Sequence, residues 1–353
     1  SRGNDTLEAK MISGGLEASA SVPSGKSTGA TEVAVIEPQK ALEKIDFIKS
    51  KFEDFKTLEQ FDNTFRGIGG NLSLVLSMAF ARLLAQSEGL QLFEFIAKVS
   101  RNQPKLPLCF FNLINGGLHA ENSLPFQEYL LIPQTNSPKK SLETAMKALK
   151  LLEEKIQNKY GTVKQGDEGG YTIPSSDPID GLLALQGLAL ECKMGLDVAA
   201  STMTQKQSIE TYEKLVSDFP MLSIEDPFDE EDWEDFSKLT AKIGNRVWIV
   251  GDDLLTTNVL RIKKAHGFNA VNAVLIKPNQ IGTITETIQA ANLAKSYGWK
   301  IIVSHRSGET LDPFIADLAV GLSADGLKSG CPLQKERLVK YQRLIEIEET
   351  WQN

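Results

Sequence analysis

The stretch MLSIEDPF, Met221–Phe228, is a short apolar run that ends in two acids. The same pattern recurs from about residue 160 onward. It appears in TVKQGDEGG (Thr162–Gly170), MGLDVAAS (Met194–Ser201), VWIVGDD (Val247–Asp253), AVLIKPNQ (Ala273–Gln280), KIIVSHRSGE (Lys300–Glu309) and DGLKSG (Asp325–Gly330). The key polar residues of the seven runs are Glu168, Asp197, Glu225, Asp252, Lys277, His305 and Lys328, separated by 29, 28, 27, 25, 28 and 23 positions. A (β/α)8 barrel of about 250 residues spends roughly 30 residues on each βα unit, and its site residues sit at the C-terminal strand ends. The spacing therefore predicts an α/β chain folded as a TIM-like barrel, with all seven side chains converging on one mouth. Helix-like stretches such as DPIDGLLALQGLALEC (Asp177–Cys192) and TITETIQAANLAKSYG (Thr283–Gly298) lie between the runs. One strand ending in a polar residue is ordinary, because loops are exposed. Seven in register, with three acids followed by two lysines and a His-Arg pair, are a stronger signal.

Before residue 100 the pattern differs. TLEAKMI (Thr6–Ile12) and LEASASV (Leu16–Val22) flank Ser13-Gly14-Gly15 and read as a hairpin. KALEKIDFIKSKF (Lys40–Phe52) and NLSLVLSMAFARLLAQS (Asn71–Ser87) carry apolar residues at helix spacing. RNQPKLP (Arg101–Pro107), polar and with two prolines, makes a boundary. The expected division is a small α+β domain over 1–102 and a barrel carrying the active site over 103–353.

Composition excludes several classes. A net charge of −8 in 353 residues argues against nonspecific binding to nucleic acid or acidic membranes. No apolar run approaches the roughly 20 residues of a membrane span, and the polar start SRGNDTLEAK shows no signal-peptide pattern. Cys109, Cys192 and Cys331 are an odd, widely spaced set, which suggests reduced thiols and a cytoplasmic protein.

The residue types at the strand ends imply a chemistry. Asp197, Glu225 and Asp252, brought together unpaired, would repel one another and raise one another's pKa values. Their local stretches contain no base. A divalent cation resolves the repulsion, and an all-oxygen ligand set favours Mg²⁺ or Mn²⁺ over zinc. Lys277 follows four apolar residues. Burial beside a bound metal should depress its pKa and make it a candidate general base. Glu168 lies among glycines that allow close backbone approach, as a candidate acid or base facing Lys277 across the mouth. Arg306 can bind a phosphate or carboxylate bidentately, Ser307 adds a hydroxyl, and Lys328 supplies another cation. A base and an acid beside a metal suit proton abstraction next to a carboxylate.

Near the start, GKST (Gly25–Thr28) ends as a phosphate-binding P-loop ends. A P-loop needs a glycine five residues before Gly25, where Ala20 stands, and an opening helix afterwards, where TGATEVAVIEP runs into a proline. The stretch is not a nucleotide site.

Together, SIEDPF, VGDDLLTTN, LIKPNQIGT, SHRSGET, GDEGG, NGGLHA followed by QE, and VPSG-x-STG resemble the enolase family, from Ser1 to about Glu349 and in the family's order. A lysine base with magnesium is the known arrangement of that superfamily and not an inference from these residues. The resemblance implies a barrel that opens ββαα before six βα units, preceded by an α+β cap. It implies Mg²⁺-dependent interconversion of 2-phosphoglycerate and phosphoenolpyruvate in glycolysis and gluconeogenesis. Lys277 is then the base at C2 and Glu168 the acid that assists loss of the C3 hydroxyl. Asp197, Glu225 and Asp252 hold a first ion, and Ser27 helps hold a second that arrives with substrate. Arg306 and Ser307 are phosphate contacts and Lys328 a carboxylate contact. His119, Gln127, Glu128 and His305 complete the substrate site. A homodimer or higher homo-oligomer is also implied. The chain departs from the family in lacking a strand before SRGN, in a shortened segment after Glu32, and in Lys26, where the family has a small residue. The shortened segment and Lys26 keep a non-catalytic, enolase-like binding or structural protein as the alternative. An acid-sugar dehydratase lacks the SHRSG set and this loop.

Overall fold

In the computed structural model the described residues are 1, 3–25, 29–120 and 124–351. The hairpin is present: β1 (Glu8–Ser13) pairs antiparallel with β2 (Leu16–Ser21) across Gly14-Gly15. Five helices follow: α1 (Pro38–Leu42), α2 (Ile45–Lys51), α3 (Leu58–Phe65), α4 (Gly70–Ser87) and α5 (Leu92–Ser100). The stretch Lys40–Phe52, expected as one helix, is broken at Glu43-Lys44 into α1 and α2. The cap core forms where α4, buried along most of its length, packs on both strands of the hairpin. Phe55, Phe61, Phe65 and Phe80 fill the space beside it, with Phe61 and Phe80 stacked at 4.1 Å.

The second part begins with β3 (Leu108–Asn115) and β4 (Glu128–Pro133), an antiparallel pair, followed by α6 (Pro138–Tyr160). Ser137 caps α6 through the Lys140 amide, Pro138 opens it, and Gly161 ends it in the left-handed conformation. Then come β5 (Tyr171–Thr172), α7 (Ile179–Gln186), β6 (Cys192–Asp197), α8 (Ile209–Asp218), β7 (Met221–Glu225) and α9 (Trp233–Ile243). The remaining elements are β8 (Trp248–Gly251), α10 (Val259–Phe268), β9 (Ala273–Ile276), α11 (Pro278–Ile281), α12 (Ile284–Ser296), β10 (Lys300–Ser304), α13 (Phe314–Gly321), β11 (Gly326–Lys328) and α14 (Lys335–Trp351).

Eight of these strands close a barrel in the order β11-β10-β9-β8-β7-β6-β4-β3, because β11 pairs back onto β3. The pairings of β4 with β3 and β6 are antiparallel and the rest of the ring is parallel. The short β5 lies outside the ring, attached to β3. The inside of the barrel is a separate apolar core of Phe110, Leu130, Ile132, Val250, Ala273, Leu275 and Ile302. Inward-facing positions alternate along a strand. Two residues beyond this core, the same strands therefore deliver Asn112, Glu128, Asp252, Lys277 and Ser304 to one end of the barrel.

The cap is tied to that end. Ser24 and Gly308 exchange two backbone hydrogen bonds of 2.9 Å. A Cβ on Gly308 would lie 2.7 Å from the Ser24 carbonyl oxygen, so the approach needs glycine. The Val33 amide donates to the Gln280 carbonyl at 3.0 Å, and the Thr31 and Thr256 hydroxyls lie 2.6 Å apart.

Candidate active site at the barrel mouth

Six of the seven sequence-selected residues lie where the spacing puts them. Asp197, Glu225 and Lys328 are the last residues of β6, β7 and β11, while Asp252, Lys277 and His305 directly follow β8, β9 and β10. Glu168 is the exception. It precedes the two-residue β5 and sits in a loop closed by a 2.8 Å bond from the Gly166 amide to the Gly170 carbonyl, with Gly169 at φ +83°. The loop folds back over β3, so Glu168 still reaches the mouth, where the Asn112 amide donates to its Oε2 at 3.1 Å. A small cavity of about 30 Å³ is lined by His119, Gln127, Glu128, Glu168, Asp197, Asp252, Lys277, His305, Arg306, Ser307 and Lys328. Ser27 and Lys26 lie outside the described residues.

The three acids are not left unpaired, contrary to the sequence expectation. Their partners come from distant strands, which inspection of each local stretch missed. Lys328 Nζ lies 2.8 Å from Glu225 Oε2, 3.1 Å from Asp197 Oδ2 and 3.2 Å from Glu128 Oε2. Lys277 Nζ pairs with Asp252 Oδ2. Gln127 donates to Asp197 at 3.2 Å and Gln280 to Asp252 at 2.9 Å. The depression expected of Lys277 is that of a lysine beside a bound ion, whereas its partner in this structure is the Asp252 carboxylate. Burial disfavours its ammonium form, but the Asp252 carboxylate outweighs burial and the pKa is raised.

Two lysines do not neutralise the mouth. Glu128, Glu168, Asp197, Glu225, Asp226, Asp252 and Asp253 face three fixed cations, Lys277, Arg306 and Lys328. Burial and this excess act in the same direction on several of the acids. Burial and then the Asp197 charge push Glu225 up to about 8, and burial and then Asp252 push Asp253 up to about 7. Burial and then Glu168 raise Glu128 well above the usual range. These carboxylates cannot all ionise without more positive charge, and every donor is a hard oxygen. That donor set fits a divalent ion of the Mg²⁺ type. Among the described residues, two groups have ligand atoms within 4.8 Å of one another, His119 with Glu128 and Glu168, and Asp226 with Asp252 and Asp253; of the sequence-selected set Asp197, Glu225 and Asp252, only Asp252 belongs to either, the other two being paired with Lys328.

The other side of the mouth is an acid-imidazole cluster. His305 Nε2 lies 3.3 Å from Glu168 Oε2. His119, on a turn over Gly117–His119, has Nδ1 3.7 Å from Glu128 and 3.8 Å from Glu168. That nitrogen is buried and has no hydrogen-bond partner among the described residues. Burial lowers both imidazoles, His305 to about 4, so both stay neutral at pH 7. Glu168 is held well below its ordinary value. Burial alone would raise it, and the facing histidines and Arg337 overcome that effect.

Arg306 is already engaged. Glu32 binds it bidentately at 2.9 and 3.1 Å, and Asn279 accepts from it at 3.0 Å. Glu32 Oε1 also accepts from the Gly29 amide at 3.0 Å, which ties the cap segment to this arginine. Sequence reading missed Glu32, Asn279 and Gln280. It also missed Asp226, whose two oxygens accept from the Asp252 and Asp253 amides at 2.9 and 2.8 Å and set the β8 turn. Asp226 was visible as the second acid of SIEDPF; the others carry no local signal.

A family profile described as "Enolase, C-terminal TIM barrel domain" matches residues 103–208 and 189–353. Enolase B of Dictyostelium discoideum is 39% identical over 416 positions, covering 99% of this chain and 92% of that protein. Enolase 2 of Hevea brasiliensis is 37% identical over 411 positions, with the same coverage of each chain. The enolase of Methanopyrus kandleri is 37% identical over 398, covering 99% and 93%. The first alignment spans 416 positions against 353 residues here, so at least 63 of its positions have no counterpart in this chain.

Proposed function

The chain belongs to the enolase family, and from that premise we propose how it works as a carbon–oxygen lyase on 2-phosphoglycerate and phosphoenolpyruvate. Its activity is that of the family, phosphopyruvate hydratase. The observation that carries the residue assignment is the meeting of Lys277, Glu168 and the three acids at one buried, over-acidic mouth.

Bound by Asp197, Glu225 and Asp252, Mg²⁺ would supply the positive charge now lent by two lysines and would stabilise charge on the substrate carboxylate. Lys277, no longer held by Asp252 and next to the added positive charge, would release its ammonium proton to solvent and, as the neutral amine, take the C2 proton. Lys328 turns from its acid partners to the substrate carboxylate. Arg306 exchanges Glu32 for the phosphate, to which Ser307 also donates. Glu168 delivers a proton to the departing C3 hydroxyl. Its low pKa in this structure comes from neighbours that the substrate would rearrange. His119, Gln127, Glu128 and His305 hold the substrate and keep Glu168 in place. The cavity is small, about 30 Å³, and these exchanges of partner would make room for substrate.

Ser27, a role in glycolysis, a second ion, a cytoplasmic location and a homodimer belong to the same proposal and follow from family membership. No helix among the described residues is long and apolar enough to cross a membrane. The test is ultraviolet detection of phosphoenolpyruvate formed from 2-phosphoglycerate with and without Mg²⁺. Turnover that needs the ion is the expected result, and no turnover at saturating ion and substrate would overturn the reading.

A further inference from the structure

The C-terminal helix α14 reaches the mouth through a face that no assigned role uses. Arg337, Lys340 and Tyr341, at i, i+3 and i+4, are at most 1% exposed. Arg337 Nη1 lies 2.5 Å from His305 Nδ1 and donates to the Arg306 carbonyl at 2.5 Å. Its Nη2 donates to the Ser307 carbonyl at 2.7 Å.

A guanidinium has five donors, no acceptor, and does not deprotonate in proteins. His305 Nδ1 must therefore be the acceptor and carry no proton. A neutral imidazole then has its one proton on Nε2, the nitrogen 3.3 Å from Glu168 Oε2. The opposite tautomer would set an N–H against an N–H. We propose that Arg337 is a positioning residue that locks His305 as the Nε2–H tautomer and so keeps a hydrogen-bond donor on Glu168. The consequence for turnover rests on the reading of Glu168 as the acid at C3; the tautomer itself does not.

Two observations agree. Burial, opposed by Glu168 and reinforced by Arg337, keeps His305 from taking a second proton. The surrounding loop also has its own support. Glu309 accepts from the Arg306 amide at 3.1 Å and is itself paired with buried Lys340 at 2.8 Å. Removing the guanidinium would free the ring and also take a donor from the Arg306 and Ser307 carbonyls, so the tautomer, and not kcat alone, separates the lock from support of the loop.

The test is a long-range ¹H–¹⁵N spectrum of the full chain labelled at histidine. The chain has only three histidines, and His266→Gln assigns the exposed one. The expected His305 pattern at neutral pH is an unprotonated Nδ1 and a protonated Nε2. In Arg337→Met the two signals should average or invert, with kcat falling by about 10- to 100-fold, the usual range for a lost outer partner, and KM changing less. Arg337→Lys, which keeps one donor, should recover the wild-type pattern in part. A wild-type His305 protonated on Nδ1, or a folded Arg337→Met protein with unchanged spectrum and kcat, would overturn the proposal. If Arg337→Met does not fold, the wild-type and Arg337→Lys spectra decide. Wild-type protein with the expected tautomer but no turnover would support the lock and overturn the enolase reading instead.

Discussion

The barrel has two layers made from the same strands, and they obey opposite rules. In the inner layer Phe110, Leu130, Val250, Leu275 and Ile302 exclude water and carry no charge. Two residues along, Asn112, Glu128, Asp252, Lys277 and Ser304 form a mouth where acids outnumber fixed cations. The apolar layer stabilises the fold by burial, at about 25 cal/mol per Å² of apolar surface. The mouth does the reverse, since each buried carboxylate costs free energy unless paired. The difference teaches that the barrel holds its site against the site's own repulsion, and that a ligand can recover what the mouth loses. Four measurements can break or sharpen this contrast.

The largest effect is expected from Lys277→Ala. Loss of a positioned general base should lower turnover and C2-proton exchange by about 10²- to 10⁴-fold, while the fold survives because the apolar layer is untouched. Exchange of the C2 proton into deuterated solvent, read by NMR, checks this. Exchange at the wild-type rate would remove Lys277 from the role of base.

Next comes the inner layer itself. Leu275→Ala, two residues before Lys277 and fully buried, should cost about 2–5 kcal/mol in denaturant unfolding. Glu128→Gln in the mouth keeps shape and removes a charge that burial disfavours. It should leave the melting temperature unchanged or raise it. If Glu128→Gln destabilises as much as Leu275→Ala, the two layers do not differ in the way described.

The third test adds the ion. Glu225 has a folded pKa of about 8, above its ordinary 4.5. A raised acid contributes stability that is complete below its unfolded value and is lost as pH rises through the folded one. Metal-free protein should therefore weaken between about pH 4.5 and 8, and Mg²⁺ should restore most at the upper end. At 100 times its dissociation constant a ligand adds about 2.7 kcal/mol. Thermal melts across that range check the trend, and Asp252→Asn should abolish the increment. A melting temperature indifferent to Mg²⁺ at every pH would count against the three-acid site.

The two layers were also unequally legible in sequence. Gaps of 23 to 28 placed six strand-end residues correctly, because a βα unit has a nearly fixed length and a strand has a fixed two-residue alternation. Glu168 broke the rule because its loop precedes a two-residue strand attached outside the ring. Pairing was not legible. Lys328 meets Glu225 across the barrel, and Lys277 meets Asp252 from the next strand. Ring closure decides the first contact and the pairing of β8 with β9 the second, and local spacing carries no trace of either. Glu32 on Arg306 depends on how the cap docks. Arg337 was least legible of all. It sits in KERLVKYQRLIEIEE, which reads as a polar surface helix until the fold turns Arg337, Lys340 and Tyr341 inward.

The fourth test isolates the cost of burying one carboxylate away from the crowd at the mouth. Asp62 on α3 is 3% exposed and accepts from the Thr285 amide at 2.9 Å, in the first turn of α12. Burial raises its pKa from 3.8 to about 6, with the Thr285 hydrogen bonds opposing. Its contribution is therefore complete below about pH 3.8 and is lost as pH rises through about 6. The loss amounts to about 3 kcal/mol, since one pKa unit is 1.36 kcal/mol. Asp62→Asn keeps an acceptor for Thr285 and cannot ionise. The variant should lose that part of the pH dependence and gain on wild type above pH 6, with the metal-linked trend at the mouth left intact. Denaturant unfolding at a series of pH values checks it. An unchanged slope between pH 4 and 6 would mean that Asp62 stays ionised at little cost, and that the penalty at the mouth comes from the crowding of acids and not from burial.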